Sequence, residues 1–167
     1  MNKAILFYLI LLIPLILVLS ITYYYYFKFQ NILQVRNVSI NMSPICKNKP
    51  VYLLFVASNC KYCNESYFAF LNVTSKYGDW LTKYEYISLY TCAYVLNLSQ
   101  PNSTSALSSS ALNYSLNIFN NYSNGYVPFF VFNGRYIKSG GFLTFKEAVS
   151  FISKYFNQSY SYFLNNS

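Results

Sequence analysis

The chain has 167 residues, which is enough for one domain with a hydrophobic core and little more. It contains 20 Tyr and 15 Phe, but only 10% of its residues are charged and it has no His. A chain without His has no Ser-His-Asp triad, no His-activated cysteine and no His-ligated zinc, copper or haem site. Its net charge of +8 comes from Lys and Arg scattered singly along the chain. We interpret this charge as a shortage of carboxylates and expect no nucleic-acid partner.

The N-terminus carries a long apolar segment. Residues Ala4–Thr22 contain no charge, and a helix of this length spans about 28 Å, close to one hydrocarbon core. The tyrosines of Tyr23–Phe27 are typical of an aromatic belt at the lipid–water boundary. These features predict an uncleaved transmembrane anchor over residues 1–27, a polar stalk over 28–49 and a folded domain over 50–167. A cleaved signal peptide is the alternative, but its apolar core is usually shorter and ends in small residues.

The Asn-x-Ser/Thr acceptor pattern for N-glycosylation is over-represented in the chain. Composition alone predicts about three such sites, and nine are present. Their acceptor residues are Asn37, Asn41, Asn64, Asn72, Asn97, Asn102, Asn113, Asn121 and Asn157. Because disulfides also persist outside the cytosol, we expect a glycosylated, extracytoplasmic C-terminal domain on a single-pass protein of the cell membrane.

The middle of the chain alternates between strand and helix patterns. The continuous apolar run Val51–Ala57 predicts a central strand that is buried on both faces. A helix is expected over Cys60–Tyr77, because its apolar residues recur on one face. The segment Tyr84–Tyr90 predicts a second strand, parallel to the first. A weak helix follows at Ala106–Phe119.

The last third of the chain has stronger signals. Asn133-Gly134 lies between two apolar runs and predicts a β-hairpin. The following helix should begin after Thr144, which forms a capping box with Glu147 and leads into an amphipathic stretch. The predicted order is β-α-β-α-β-β-α, an α/β fold with a four-stranded mixed sheet flanked by helices on both faces.

This order, with Cys-x-x-Cys after the first strand, resembles the thioredoxin superfamily from about Val51 to Phe156. Two motifs carry the resemblance. "NCKYC" matches the redox motif at the start of the first helix, and "VPFFVFNGRYIKSGGF" matches the family's apolar residue, cis-proline, hairpin and glycine. The predicted anchor and the Cys-x-x-Cys-x-Glu run look most like membrane-anchored archaeal members. The resemblance implies a thioredoxin-like fold.

The position of the first cysteine suggests its chemistry. At the first turn of a helix, Cys60 meets unpaired N–H groups and the positive end of the helix dipole, and Lys61 adds a charge, so we expect a lowered pKa for its thiol. Cys60 would then be the nucleophile and Cys63 the resolving cysteine of a redox-active disulfide. The resemblance further implies that Pro128 is cis and packs against the cysteine pair, while Val127 offers backbone hydrogen bonds to an extended substrate.

The chain departs from the reductases of the family at two positions. Leu54 stands where they carry a buried Asp, and Asn59 replaces the usual aromatic residue before the first cysteine. Val127 before the proline resembles the oxidase branch. The resemblance therefore favours a membrane-anchored, extracytoplasmic thiol–disulfide oxidoreductase that donates disulfides to exported proteins without a cofactor and is reoxidised by an unidentified redox partner.

Other interpretations of the cysteines remain open. Cys60 and Cys63 could form a structural disulfide in a non-catalytic docking subunit of a membrane or cell-surface complex. No metal site is predicted, since a zinc knuckle needs four ligands and Cys46 and Cys92 form no second Cys-x-x-Cys motif. These two cysteines form a structural disulfide, or Cys92 is an extra thiol at the Cys60 end of the sheet. The predicted strands separate them by about 15–20 Å, whereas a bridge needs Cα atoms within about 7 Å.

Overall fold

A computed structural model describes most of the chain and divides it into two units, Met1–Gln34 and Val35–Ser167. The described residues are 12–26, 34–77, 85–87, 90–101 and 107–167.

The first unit contains one described helix, α1, over residues 12–26. The described part of this helix extends for about 22 Å at the α-helical rise. Residues 4–11 of the predicted span lie outside the described residues. Within the described ranges, no helix combines the length and the apolar character needed to cross a membrane. The predicted transmembrane helix is therefore wrong, and the single-pass membrane location that depended on it is contradicted as well.

The second unit is an α/β structure built on one mixed sheet. Its strands are β1 (Arg36–Asn37), β2 (Val51–Val56), β3 (Glu85–Ile87), β4 (Cys92–Asn97), β5 (Phe129–Phe132) and β6 (Tyr136–Ser139). They lie in the order β1-β6-β5-β2-β4-β3, with β2 and β4 parallel and the other pairs antiparallel. Within the described residues the sheet therefore has six strands, and the prediction of four was wrong. The helices are α2 (Cys63–Thr74), α3 (Ser109–Tyr122) and α4 (Phe145–Asn166).

The central strand β2 separates two hydrophobic cores, because its side chains alternate between the two faces of the sheet. Val51, Leu53 and Phe55 belong to the core that contains residues of α3. Tyr52 and Leu54 belong to the core that contains residues of α2 and α4. All five side chains are fully buried, as the continuous apolar run predicts for a central strand. The sheet thus carries helices on both faces.

The parallel strand next to β2 is not the predicted one. The prediction placed it at Tyr84–Tyr90, but β3 within that range is antiparallel and lies at the edge of the sheet. The parallel partner is β4, which begins at Cys92 and pairs Cys92 with Val51. Both apolar runs have strand character, and the choice between them depends on tertiary packing of the crossover, which local sequence does not encode.

This register places Cys92 at the start of β4, beside the start of β2. Cys46 precedes β2 and forms a disulfide with Cys92, with the Cα atoms 6.5 Å apart. The expected separation of about 15–20 Å came from placing Cys92 after its strand instead of at its first residue. The disulfide therefore closes the end of the sheet remote from Cys60.

The lead-in to the domain is folded onto the sheet. Residues 35–49 were predicted as part of a polar stalk, but β1 pairs with β6, and the N–H of Ile40 donates to the carbonyl of Gly134 at 2.9 Å. Met42 and Ile45 are buried in the core on the α3 face. The folded part of the second unit thus begins well before residue 50.

Replacing both Cys46 and Cys92 with alanine should lower the free energy of unfolding by about 2–4 kcal/mol, because the disulfide closes a long loop in the unfolded chain. Its two cysteines are separated by 46 residues in sequence. Urea unfolding of the full chain measures the loss.

The matched control replaces Cys60 and Cys63, which are separated by only three residues, and should cost about 2 kcal/mol or less. A loss from the control pair equal to or above that from Cys46 and Cys92 would contradict the expectation.

Candidate functional site

Cys60 and Cys63 form a disulfide in the loop between β2 and α2, with an S–S distance of 2.01 Å and Cα atoms 5.3 Å apart. Cys60 is partly exposed, whereas only 3% of the surface of Cys63 is exposed. Cys60 is therefore the more accessible residue of the pair.

The helix begins later than the sequence predicts. Cys63 is the first residue of α2, and Tyr62 is its N-cap. The Tyr62 side chain makes no capping hydrogen bond, although the first N–H groups of a helix need acceptors. The disulfide joins Cys60 to this first helical residue, so both sulfurs lie at the positive end of the helix dipole.

The loop that carries Cys60 is attached to the end of β4. Leu98 N–H donates to the carbonyl of Val56 at 2.8 Å, which extends the parallel pairing beyond the strands. The N–H of Ser58 donates to the hydroxyl of Ser99 at 3.0 Å. Two hydrogen bonds thus fix the chain where it leaves the sheet, just before the disulfide.

Pro128 lies beside the strand end from which the disulfide loop starts. The register pairs Phe55 with Phe129, which places Pro128 next to Val56. The Val127–Pro128 peptide bond is cis, as the resemblance implies. Pro128 is buried and Val127 is partly exposed.

Two glycines connect Pro128 with the disulfide loop. We call Gly140–Gly141 the glycine segment. The N–H of Gly140 donates to the carbonyl of Pro128 at 2.8 Å. Gly141 packs so closely on Tyr62 that an added Cβ atom would lie 2.3 Å from the Tyr62 Cβ. Because Tyr62 directly precedes Cys63, the glycine segment contacts the Cys-x-x-Cys loop on one side and the proline on the other.

Lys138, two residues before Gly140, forms hydrogen bonds with this segment. The Lys138 ammonium donates to the carbonyls of Gly140 at 3.0 Å and of Ser139 and Gly141 at 3.4 Å each. It also lies 4.4 Å from the ring centroid of Phe142, a favourable cation–π distance. Lys138 is only 6% exposed.

Burial lowers the pKa of Lys138 to about 8, and the nearby carboxylate of Glu147 raises it in part. The cause of the lowering is the loss of water around the ammonium, which disfavours the charged form. No motif in the sequence predicts a role for Lys138. The alternation of side chains along β6 could have predicted its inward position, because Tyr136 and Lys138 share a face of the strand. In the structure Lys138 stands opposite the core residue Phe130.

A groove of about 450 Å³ adjoins Cys63 on the side where β2 and β4 end. Tyr67, Phe68 and Leu71 of α2 supply apolar lining, and Asn64 and Asn97 supply amides. Phe68 is 57% exposed. The groove was not predicted, because it depends on which strand follows the α2 crossover.

Glu65 completes the Cys-x-x-Cys-x-Glu run in the first turn of α2. It is partly buried, and its Oε2 has no hydrogen-bond partner within the part of the chain that the structure describes. The hydroxyl of Ser66 is also buried without such a partner. Because no hydrogen bond within the described part of the chain links either atom to the disulfide, the candidate site consists of the cysteines, Pro128, the glycine segment and Lys138.

The predicted glycosylation sites fall on outward positions of the fold. Asn102 lies outside the described residues, Asn97 is partly buried and the other seven asparagines are exposed. In four helical cases the hydroxyl two residues on is fully buried. These buried residues are Ser66, Thr74, Ser115 and Ser159. Residues two apart lie on nearly opposite sides of a helix. A helix with an exposed Asn and a buried Ser or Thr two residues later therefore contains the Asn-x-Ser/Thr pattern as a consequence of its packing.

Comparisons with known protein families, with curated protein sequences and with solved structures give no match for the chain. Among the described residues, no group of three or more His, Cys, Asp or Glu side chains could hold a metal ion.

Replacing Gly141 with alanine should destabilise the protein by about 1–3 kcal/mol, because the new methyl overlaps Tyr62 and one of the two segments must move. Urea unfolding measures this loss. In the double variant Gly141→Ala/Tyr62→Gly the overlap is removed, so the second change should restore much of the lost stability. Independent, additive losses would contradict the close packing.

Stability should rise with pH through the titration of Lys138. Its pKa is about 8 in the folded protein and about 10.4 in an unfolded chain, so between these values the unfolded state binds more protons. From pH 8 to 9.5 this contributes at most about 2 kcal/mol to the free energy of unfolding.

Urea unfolding of the wild type and of Lys138→Met across this range isolates the contribution, because all other groups titrate in both proteins. The difference between the two free energies should grow with pH in favour of the wild type. A constant difference would contradict the lowered pKa.

Proposed function

We propose that the protein is a thiol–disulfide oxidoreductase that uses the Cys60–Cys63 pair and belongs to the thioredoxin superfamily. The observation that carries the proposal is the asymmetry of the disulfide. One sulfur belongs to the partly exposed Cys60, and the other to the buried Cys63 at the first position of a helix. Such an arrangement exposes one sulfur to attack and protects the other as the leaving and resolving group.

The proposed reaction is oxidation of a substrate dithiol. A substrate thiolate attacks Cys60 Sγ, the Cys60–Cys63 bond breaks, and Cys63 leaves as a thiolate that takes up a proton. The second substrate thiolate then attacks the mixed disulfide and releases Cys60. The substrate loses two electrons and two protons, and the cysteine pair gains them. A second disulfide compound, such as glutathione disulfide, must reoxidise the pair for repeated turnover.

The helix start supports this chemistry in the reduced protein. Since Tyr62 gives α2 no side-chain cap, a thiolate at Cys60 can serve as the acceptor for the N–H groups of the first turn. Stabilising the thiolate stabilises the reduced pair and makes the disulfide a stronger oxidant. Leu54 at the position of the reductase Asp is fully buried in the apolar core and offers no proton acceptor. These features favour oxidation over reduction.

The substrate class we propose is an extended polypeptide that contains two thiols. The glycine segment packs on Tyr62 of the Cys-x-x-Cys loop and is hydrogen-bonded to Pro128, and the groove beside Cys63 lies at the end of β2 and β4. A chain crossing Cys60 would approach the backbone of Val127, in the manner that the family resemblance implies. A glycan on Asn64, which lines the groove, would crowd this path.

Trapping of a mixed disulfide tests the proposal. Reduced Cys63→Ser protein, incubated as the full chain with a disulfide-containing polypeptide such as insulin, should accumulate a covalent adduct through Cys60, because no resolving thiol remains. Mass spectrometry of the non-reduced sample identifies the joined peptides.

The matched control is Cys60→Ser, in which only the buried Cys63 is left and adduct formation should fall at least about tenfold. In a parallel assay, the wild type should accelerate oxidation of a dithiol peptide by glutathione disulfide. Equal adduct yields from the two variants, together with no acceleration, would refute the redox role and favour a docking module that keeps the disulfide for structure.

A further inference from the structure

We propose that Lys138 is a positioning residue for the exchange chemistry, whose ammonium holds the glycine segment against Tyr62 and thereby fixes the Cys60–Cys63 loop. The inference rests on the proposed function and assigns a role to a residue that does not itself touch the sulfurs.

The location of Lys138 is unusual for a lysine. It occupies a core-facing position on β6, opposite Phe130, and its ammonium lies over Phe142 and within 5.5 Å of the ring centroid of Phe151. Lysine is almost never fully buried unless its charge has partners. Here the ammonium donates hydrogen bonds to three successive backbone carbonyls, those of Ser139, Gly140 and Gly141. The buried charge is therefore directed at the glycine segment.

The glycine segment transmits any displacement to the disulfide loop. Gly141 leaves no room for even a methyl group between its backbone and Tyr62. Its neighbour Gly140 donates a hydrogen bond to the carbonyl of Pro128. A shift of this backbone would consequently move Tyr62, Pro128 or both. Lys138 thus stabilises one arrangement of the two halves of the site.

Protonation decides how well Lys138 can do this. An ammonium has three N–H donors for the three carbonyls, whereas the neutral amine has two and lacks the charge that strengthens such bonds. The charged group that acts on Lys138 is Glu147 at the start of α4. The aromatic neighbours from β5, the following loop and α4 are Phe130, Phe142 and Phe151, which do not titrate. The phenol of Tyr136, two residues earlier, shares its face of β6.

The experiment follows reduction of the full-length protein by 2-mercaptoethanol at pH 6.5 to 9.5. One thiolate attacks Cys60 and displaces Cys63, and a second forms the organic disulfide and releases Cys60. Two thiols are oxidised while the cysteine pair takes up two electrons and two protons. Quenching by alkylation and peptide mass spectrometry reports each disulfide separately. Cys46–Cys92 in the same sample serves as the internal reference.

Rates are divided by the thiolate concentration, which removes the titration of the reagent. For the wild type, the resulting constant should fall roughly three- to tenfold as the pH rises through about 8, a change equivalent to one net hydrogen bond. Lys138→Met should show the low value at every pH, and the Cys46–Cys92 constant should be the same in both proteins. A Lys138→Met rate equal to or above the wild-type rate at pH 7 would overturn the proposal. So would a slow variant that keeps the wild-type pH profile.

A second variant keeps the proposal testable if Lys138→Met does not fold. Glu147→Gln retains Lys138 and a side-chain oxygen that can accept the N–H of Leu143, as Glu147 does. It removes the charge that raises the lysine pKa, so the step should move to lower pH with the rate at pH 6.5 unchanged. An unmoved step would overturn the role of Lys138. The reagent is a small thiol, so this assay does not require a polypeptide substrate. If the wild-type rate constant falls near pH 8 as expected, but the protein does not exchange disulfides with polypeptides, only the proposed function is refuted.

Discussion

The pairing of β2 with two neighbours in opposite senses is the constraint on which the site depends. β4 runs parallel to β2, so both strands end at the same edge, where the disulfide loop and the groove lie. β5 runs antiparallel, so its beginning, with Pro128 before it, meets that same edge. Three segments that are far apart in sequence are brought together by the backbone hydrogen bonds of the sheet. The side chains of the site then need only local interactions.

The buried Lys138 is energetically unusual in this arrangement. Its lowered pKa means that burial disfavours the charged form, so the fold keeps an ammonium where an apolar side chain would meet no such penalty. The three carbonyl bonds offset part of this cost by satisfying backbone acceptors next to the disulfide loop. At the other end of these strands, where β2 and β4 begin, the Cys46–Cys92 disulfide joins the chain covalently. One end of the sheet is thus stabilised covalently and the other by polar contacts.

Local sequence patterns identified the elements whose signals are strongest. The central strand β2, the hairpin with positive φ at Asn133 and Gly134, and the Thr144 cap that accepts the Glu147 N–H form as expected. The Glu147 carboxylate, however, accepts from the N–H of Leu143, one residue before the N-cap. The apolar N-terminal run predicted a membrane span, but no helix within the described residues is long and apolar enough to cross a membrane. The parallel neighbour of β2 was predicted at Tyr84–Tyr90 but is β4. Both apolar runs can form strands, and tertiary packing determines which of them lies beside β2. Strand alternation places Lys138 on the core face of β6, but its contacts with the glycine segment, and those of Gly141 with Tyr62, require the tertiary structure.

The central claim is that Cys60–Cys63 is the reactive disulfide and that Cys60 is the sulfur that is attacked. The most direct measurement is to titrate the full-length protein with glutathione redox buffers and to locate the glutathione adducts by mass spectrometry. We expect Cys60–Cys63 to be reduced under milder conditions than Cys46–Cys92, with the adduct on Cys60 and the fold intact. Reduction of both disulfides together on unfolding, or an adduct mainly on Cys63, would contradict this account.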